Sequence, residues 1–220
     1  MQQAPAALIF DMDGVLINSE HLSRKAMIKG FSEFGMHLSE DDCRKTMGMR
    51  FGEVIDLWLE HFDLKKQDPK ELEQRVMQLL LVLIEEEGAY ISGIPEIVAY
   101  CKNKKIPMGL ATSSSSELMH AVLDKLGLHA NLQAKVSAEH MKYGKPHPEV
   151  FLECAKQLNT PPERCLVIED SVNGVIAAKA ARMQVIAVPD DEHAGLKQFA
   201  LADHTFLTMP EVLPLLKTLF

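Results

Sequence analysis

Asp11 and Asp13 follow the apolar run Ala6 to Phe10, Thr112 and Ser113 follow Met108 to Ala111, and Glu169 with Asp170 follow Cys165 to Ile168. Lys145 stands in the loop Tyr143-Gly-Lys-Pro-His-Pro148. If the apolar runs are parallel strands of one sheet, all these side chains converge on a crevice at the strand C-termini. Four carboxylates held together repel one another, and burying them uncompensated is expensive. A divalent cation resolves the conflict, and an all-oxygen donor set points to Mg²⁺ rather than zinc. A hydroxyl and backbone amides at Thr112-Ser113, opening a helix, together with the point charge of Lys145, suit a phosphate. The cation and the lysine would also keep Asp11 ionised, as a nucleophile requires.

Those side chains need a scaffold, and hydrophobic spacing supplies its outline. Ala6 to Phe10 reads as a buried strand that stops at Asp11-Met12-Asp13-Gly14. From about Ser19 to Gly88 the period is helical: Leu22, Ala26, Met27 and Phe31, then Val54, Leu57, Trp58 and Phe62, then Leu72, Val76, Leu79, Leu80 and Leu83. Beyond Gly88-Ala-Tyr-Ile-Ser-Gly-Ile-Pro95 the pattern alternates between helix and short apolar strand. Strands are predicted at Met108–Ala111, Ala134–Val136, Cys165–Ile168 and Val185–Val188. Helices are predicted at about Glu96–Lys104, Glu117–Leu126, Pro148–Leu158 and Val172–Ala181. Such alternation implies an α/β fold, a Rossmann-like doubly wound parallel sheet. The first strand is separated from its partners by about 90 residues, far beyond an ordinary loop. An all-helical domain, 19–88, is therefore expected as an insertion in a core made of 1–18 and 89–220.

Composition narrows the function classes. The 220 residues carry 23 Lys+Arg against 31 Asp+Glu, a formal net charge of −8, which argues against nucleic-acid binding by bulk electrostatics. Cys43, Cys101, Cys154 and Cys165 are too far apart for a CxxC pair and sit among apolar residues, so they read as reduced core thiols of a cytoplasmic protein. The start Met1-Gln-Gln-Ala-Pro-Ala has no basic residue before its short apolar stretch, and the longest uninterrupted apolar run, Leu79 to Ile84, is too short to cross a bilayer. Neither secretion nor a membrane partner is expected.

In order and placement the residues resemble the haloacid dehalogenase-like phosphohydrolases, in the subgroup with a helical cap inserted after the first motif. The likeness rests on Asp11-x-Asp13-Gly14-Val15, Leu110-Ala-Thr112-Ser113, Gly144-Lys145-Pro146, and Ile168-Glu169-Asp170-Ser171 with Asn173-Gly174. It covers essentially the whole chain. The resemblance implies that Asp11 attacks phosphorus to form an aspartyl-phosphate, and that Asp13 protonates the leaving alcohol and then activates water. It implies that Thr112, Ser113 and Lys145 hold the phosphoryl group. Mg²⁺ would be bound by Asp11, the backbone carbonyl of Asp13, Asp170, and Glu169 directly or through water. Relatives that cleave carbon–halogen bonds lack the second acid, because a halide leaves without a proton; Asp13 therefore favours phosphate esters. The expected substrate is a small phosphorylated metabolite, a sugar or polyol phosphate.

The plainer readings of these residues stand beside that one. An Asp-Gly turn accounts for Asp13-Gly14 but leaves Asp11 unassigned. Ser113 to Ser116 can cap a helix, and Glu169-Asp170 can favour the next helix's dipole, without losing the other roles. His147 is given no catalytic role, and the other histidines show no ligand spacing. Trp58, Met27, Met47, Met49 and Met77 read as core of the helical domain, and Glu85-Glu86-Glu87 as a solvated face. Arg50, before a helix, stands where capped relatives present specificity residues; a surface arginine explains it equally well. Sugar phosphomutases of the same capped type are the enzymatic alternative, but they place a histidine ten residues beyond the second aspartate, where this chain has Ser23 and only a displaced His21. A non-catalytic phosphometabolite sensor has little to recommend it, since every expected catalytic side chain is present.

Overall fold

A computed structural model describes residues 4–46, 51–64, 67–191 and 193–220. The chain divides into two compact units, Met1–Asn18 with Ala89–Phe220, and Ser19–Gly88.

The first unit is built on a six-stranded sheet. Its strands are β1 (Ala7–Phe10), β2 (Met108–Thr112), β3 (Ala134–Ser137), β4 (Cys165–Glu169), β5 (Gln184–Ala187) and β6 (His204–Thr205), in the order β3-β2-β1-β4-β5-β6. Every pairing is parallel, so all strand C-termini point the same way, and the order reverses at β1 between β2 and β4. That reversal opens a crevice at the strand ends, the place where open α/β sheets bind ligands. The fold is the doubly wound α/β class.

Parallel strands covered on both faces need continuous apolar runs, and these have them. Ala7, Ile9, Ala111, Val136, Val167 and Val185 face a core shared with Phe151, Cys154, Val175 and Ala178, which lie on helices 149–157 and 172–180. The intervening Leu8, Phe10, Leu110, Leu166, Ile168 and Ile186 are equally buried. All four cysteines are buried and free. The sheet exceeds the sequence expectation by β6, two exposed residues at the edge. A strand this short and polar carries no apolar run to announce it.

The second unit comprises helices α1 (Glu20–Glu33), α2 (Glu40–Lys45), α3 (Phe51–His61) and α4 (Pro69–Glu87). The remaining helices belong to the first unit: α5 (Ile94–Lys104), α6 (Ser116–Leu126), α7 (Glu149–Gln157), α8 (Val172–Ala180) and α9 (Val212–Leu219). Leu22, Ala26 and Phe31 of α1 and Leu72, Val76, Leu80 and Ile84 of α4 form the buried faces of the main helix pair. Arg75 binds both oxygens of Glu33 across it. Asp68 caps α4 by accepting from the Lys70 amide, with Pro69 in the first turn. Helix α2, absent from the sequence reading, is only six residues long with one buried residue, Cys43; it owes its start to a Ser39–Asp42 capping box. Trp58 is buried, but Met27 and Met77 are only half-buried, because both lie beside rather than on the buried stripe of their helices. Met47, Met49 and Arg50 lie outside the described residues.

Candidate active site

The ends of β1 and β4 deliver carboxylates because the first polar residue follows the last apolar one directly, Asp11 just past β1 and Glu169 as the last residue of β4. The Asp11 amide donates to the Ile168 carbonyl at 3.0 Å, so the β1–β4 ladder itself fixes Asp11 beside Glu169. Lys145, from the loop before α7, reaches between them: its Nζ lies 2.7 Å from Asp11 Oδ1 and 2.6 Å from Glu169 Oε1, and 4.8 Å from the centroid of the Phe151 ring. The lysine side chain is 6% exposed and Glu169 is fully buried. Asp11 is also buried. Burial pushes the Asp11 carboxyl above the usual carboxylate range; Lys145 opposes this, while Glu169 and Asp13 add to it. Burial works against the lysine charge too, but Asp11 and Glu169 outweigh it and hold the ammonium above its ordinary value.

Glu169 is engaged at both oxygens. Oε2 accepts from the amides of Asp170 and Ser171, each at 2.9 Å, and from the Ser171 hydroxyl at 3.0 Å, while Oε1 takes the lysine. This carboxylate ties the loop after β4 to Lys145. Ser171 also caps α8 by accepting from the Gly174 amide, which brings the first turn of α8 against Glu169. A Cβ on Gly174 would lie 1.7 Å from Glu169 Oε1. Gly174→Ala is therefore expected to displace Glu169 and Lys145 together. Overpacking of this kind costs about 1–3 kcal/mol, roughly 2–12 °C in Tm for a chain of this size, with a fall in activity. Gly195→Ala, which meets nothing within 4 Å, is the control; equal melting of the two variants would show that the Glu169 contact is not tight.

One oxygen each of Asp11, Glu169 and Asp170 lies within 4.8 Å of the others. Three carboxylates with one ammonium leave two negative charges uncompensated, and the all-oxygen donor set is that of a hard divalent cation. The residues present therefore fit such an ion. Asp170 is placed by the turn at Gly14, which adopts φ +74° and whose Cβ would sit 1.9 Å from Asp170 Oδ2. The Asp13-Gly14 turn of the plainer reading is thus real, its Gly14 amide donating to the Ile17 carbonyl, and it leaves room for the Asp170 carboxylate.

Asp13 is engaged from the loop after β2. Its Oδ2 accepts from the hydroxyl of Ser114 at 2.6 Å. The Ser114 amide donates to Thr112 Oγ1 at 3.0 Å, so Thr112, buried at the strand end, joins Asp13 through one intervening residue. Ser113 is exposed on the same loop. Ser115 is the N-cap of α6, accepting from the Leu118 amide. Ser114 was not singled out by the sequence: within a run of hydroxyl residues from Thr112 to Ser116, spacing alone does not distinguish the one that turns toward a carboxylate 101 residues away. His147, exposed beside Tyr143 and Glu149, takes no part in the cluster.

The chain matches the family model described as haloacid dehalogenase-like hydrolase over residues 8–188. It is 38% identical over 207 residues to hexitol phosphatase B of Escherichia coli (strain K12), covering 94% of this chain and 93% of that protein. It is 32% identical to the phosphorylated carbohydrates phosphatase of Thermotoga maritima, covering 82% and 83% of the two chains. Among solved structures it is similar to the β-phosphoglucomutase of Clostridium difficile, with a TM-score of 0.80 at 26% identity over 98% of this chain and 96% of that one.

Proposed function

We propose that this chain, which belongs to the haloacid dehalogenase-like hydrolase family and is a phosphatase, hydrolyses a small sugar or polyol phosphate with Mg²⁺ and an aspartyl-phosphate at Asp11. The observation that carries the reading is the convergence of Asp11, Lys145, Glu169 and Asp170 at the strand ends. The similarity to a hexitol phosphatase supports the substrate class. In the first step an Asp11 carboxylate oxygen bonds to phosphorus as the bond to the leaving oxygen breaks, and Asp13 gives that oxygen a proton. In the second, Asp13 takes a proton from water as the water oxygen displaces Asp11 from phosphorus. Lys145 and Thr112 hold the phosphoryl oxygens in line, Ser113 adding its amide, and the buried Glu169 keeps the ammonium aimed. Mg²⁺, which Asp11, Asp170, the Asp13 backbone carbonyl and Glu169, directly or through water, would hold, would neutralise charge on the phosphoryl group and on the nucleophile.

We assign residues 19–88 as a cap that selects the leaving group, with Arg50 as its candidate reader of sugar hydroxyls. The setting is cytoplasmic, which the four reduced thiols support. Among the described residues no helix is long and apolar enough to cross a membrane.

Turnover with Mg²⁺ of a panel of hexitol, hexose, pentose and nucleoside monophosphates tests the reading. The expected result is free phosphate, fastest from a hexitol or hexose phosphate. Conversion of one sugar phosphate isomer into another without phosphate release would make the chain a mutase. Preference for nucleotides would remove the sugar assignment.

A further inference from the structure

We infer that Ser114 is a positioning residue for Asp13, and that the end of β3 clamps Ser114 in that posture. The inference rests on the proposed role of Asp13 as the acid and base of the two steps above. Three separate bonds fix Ser114. Its amide donates to Thr112 Oγ1 at 3.0 Å, its carbonyl accepts from the Ser137 hydroxyl at 2.5 Å, and its own hydroxyl donates to Asp13 Oδ2 at 2.6 Å. The clamp is built from the sheet. Thr112 pairs with Ser137 in the β2–β3 register, and the Ala138 amide donates to the Thr112 carbonyl at 2.9 Å, so the two strand ends leave the sheet side by side. Ser137 Oγ also accepts from the Glu139 amide at 3.1 Å, while its one hydrogen goes to the Ser114 carbonyl, which can only accept. Glu139 Oε2 in turn accepts from the Ser116 amide at 3.0 Å. The loop between β2 and α6 is thus fastened to β3 on both sides of Ser114.

A carboxylate that must first give a proton to a leaving oxygen and later take one from water has to stay aimed through both steps, and geometry decides how well it does so. A short hydrogen bond to Oδ2 from a serine held at both its amide and its carbonyl restrains the rotation of the Asp13 carboxyl group. The proton that reaches the leaving oxygen comes from Asp13, the proton regained comes from water, and the Ser114 hydrogen stays on its own Oγ throughout. Thr112 is meanwhile linked to the same serine, so the residue proposed to hold the phosphoryl group and the residue proposed to protonate the leaving oxygen share one rigid support.

The test compares kcat/KM for two substrates of the full chain with Mg²⁺: sorbitol 6-phosphate, whose alkoxide needs a proton, and p-nitrophenyl phosphate, whose phenolate does not. This parameter reports the step in which the leaving group departs. Ser114→Ala is expected to lower kcat/KM for sorbitol 6-phosphate roughly 10- to 100-fold, the scale of one hydrogen bond to a charged group. The loss on p-nitrophenyl phosphate should be clearly smaller, and competitive inhibition by inorganic phosphate unchanged. Ser114→Thr, which keeps the hydroxyl, should restore most of the loss, and Ser137→Ala should reproduce part of it with the same dependence on leaving group. Equal losses on both substrates with weakened phosphate inhibition would make Ser114 a phosphate ligand and overturn the inference. Wild-type behaviour of Ser114→Ala alongside an inactive Asp13→Asn would also overturn it while leaving the acid–base reading intact. Wild-type turnover of sorbitol 6-phosphate by Asp13→Asn would overturn both.

Discussion

Asp11→Asn is expected to lose turnover by ~10⁴-fold or more, because an amide cannot form the acyl phosphate through which the proposed reaction runs. The same substitution is expected to leave the metal-free protein at least as stable as wild type near neutral pH. The sign follows from burial: desolvation raises the Asp11 carboxyl in the folded state above its ordinary value of 3.8, against the pull of Lys145. An acid raised by folding binds more protons in the native than in the unfolded state, so stability falls as pH rises from the ordinary value through the raised one. Asparagine, uncharged and able to accept from the lysine, escapes that loss. The difference in Tm between the two proteins in metal-free buffer should therefore grow in favour of Asp11→Asn with rising pH and vanish below pH 3.8. Phosphate labelling at another residue, or substantial residual kcat in a pure preparation, would remove Asp11 from the role. A metal-free variant that melts well below wild type at pH 8 would show that the carboxylate stabilises its surroundings.

The strands carrying these residues are legible in the sequence for one physical reason. A parallel strand buried on both faces favours an apolar residue at each position up to its C-terminal end, so that end is marked by the first acid or hydroxyl. Asp11 after Phe10, Thr112 after Ala111 and Glu169 after Ile168 all announce themselves this way, although β2 and β4 run one residue further than the apolar run and include Thr112 and Glu169. Lys145 has no such marker. Its meeting with Asp11 and Glu169 depends on a loop that crosses the strand ends, and only the Gly-Lys-Pro context singled it out. Ser114, Ser137 and Glu139 were beyond reach, because their partnership is set by how two loops leave neighbouring strands in register. The short α2 and β6 bury almost nothing, and hydrophobic periodicity reports burial; α9, also absent from the sequence reading, buries Val212 and Leu216 but spans only eight residues.

Chelation is expected to inactivate the enzyme, and Mg²⁺ to restore it, since Asp11, Glu169 and Asp170 bring three carboxylates together and only Asp11 and Glu169 are paired with the ammonium of Lys145. Without a cation, burial favours proton uptake at Asp11, the group that has to attack, with Glu169 and Asp13 adding to it against the pull of Lys145. Ca²⁺, larger and less strict in its coordination, should support little turnover because it fixes the nucleophile and the phosphate less well. Binding should also be visible without catalysis: a ligand that binds only the folded state adds RT ln(1 + [L]/Kd), about 2.7 kcal/mol at a hundred times Kd, so Mg²⁺ should raise Tm in a saturable way. Asp170→Asn should shift that curve to higher Mg²⁺ while changing metal-free melting little, because the Asp170 side chain is only partly buried. Glu169→Gln should behave differently. Its two oxygens already serve Lys145, Asp170 and Ser171, so the amide disturbs the lysine and the loop even in the absence of metal, and metal-free Tm should fall. A Glu169→Gln protein with unchanged metal-free melting but a lost Mg²⁺ response would make Glu169 a direct metal ligand, and full activity after exhaustive chelation would remove the metal from the site.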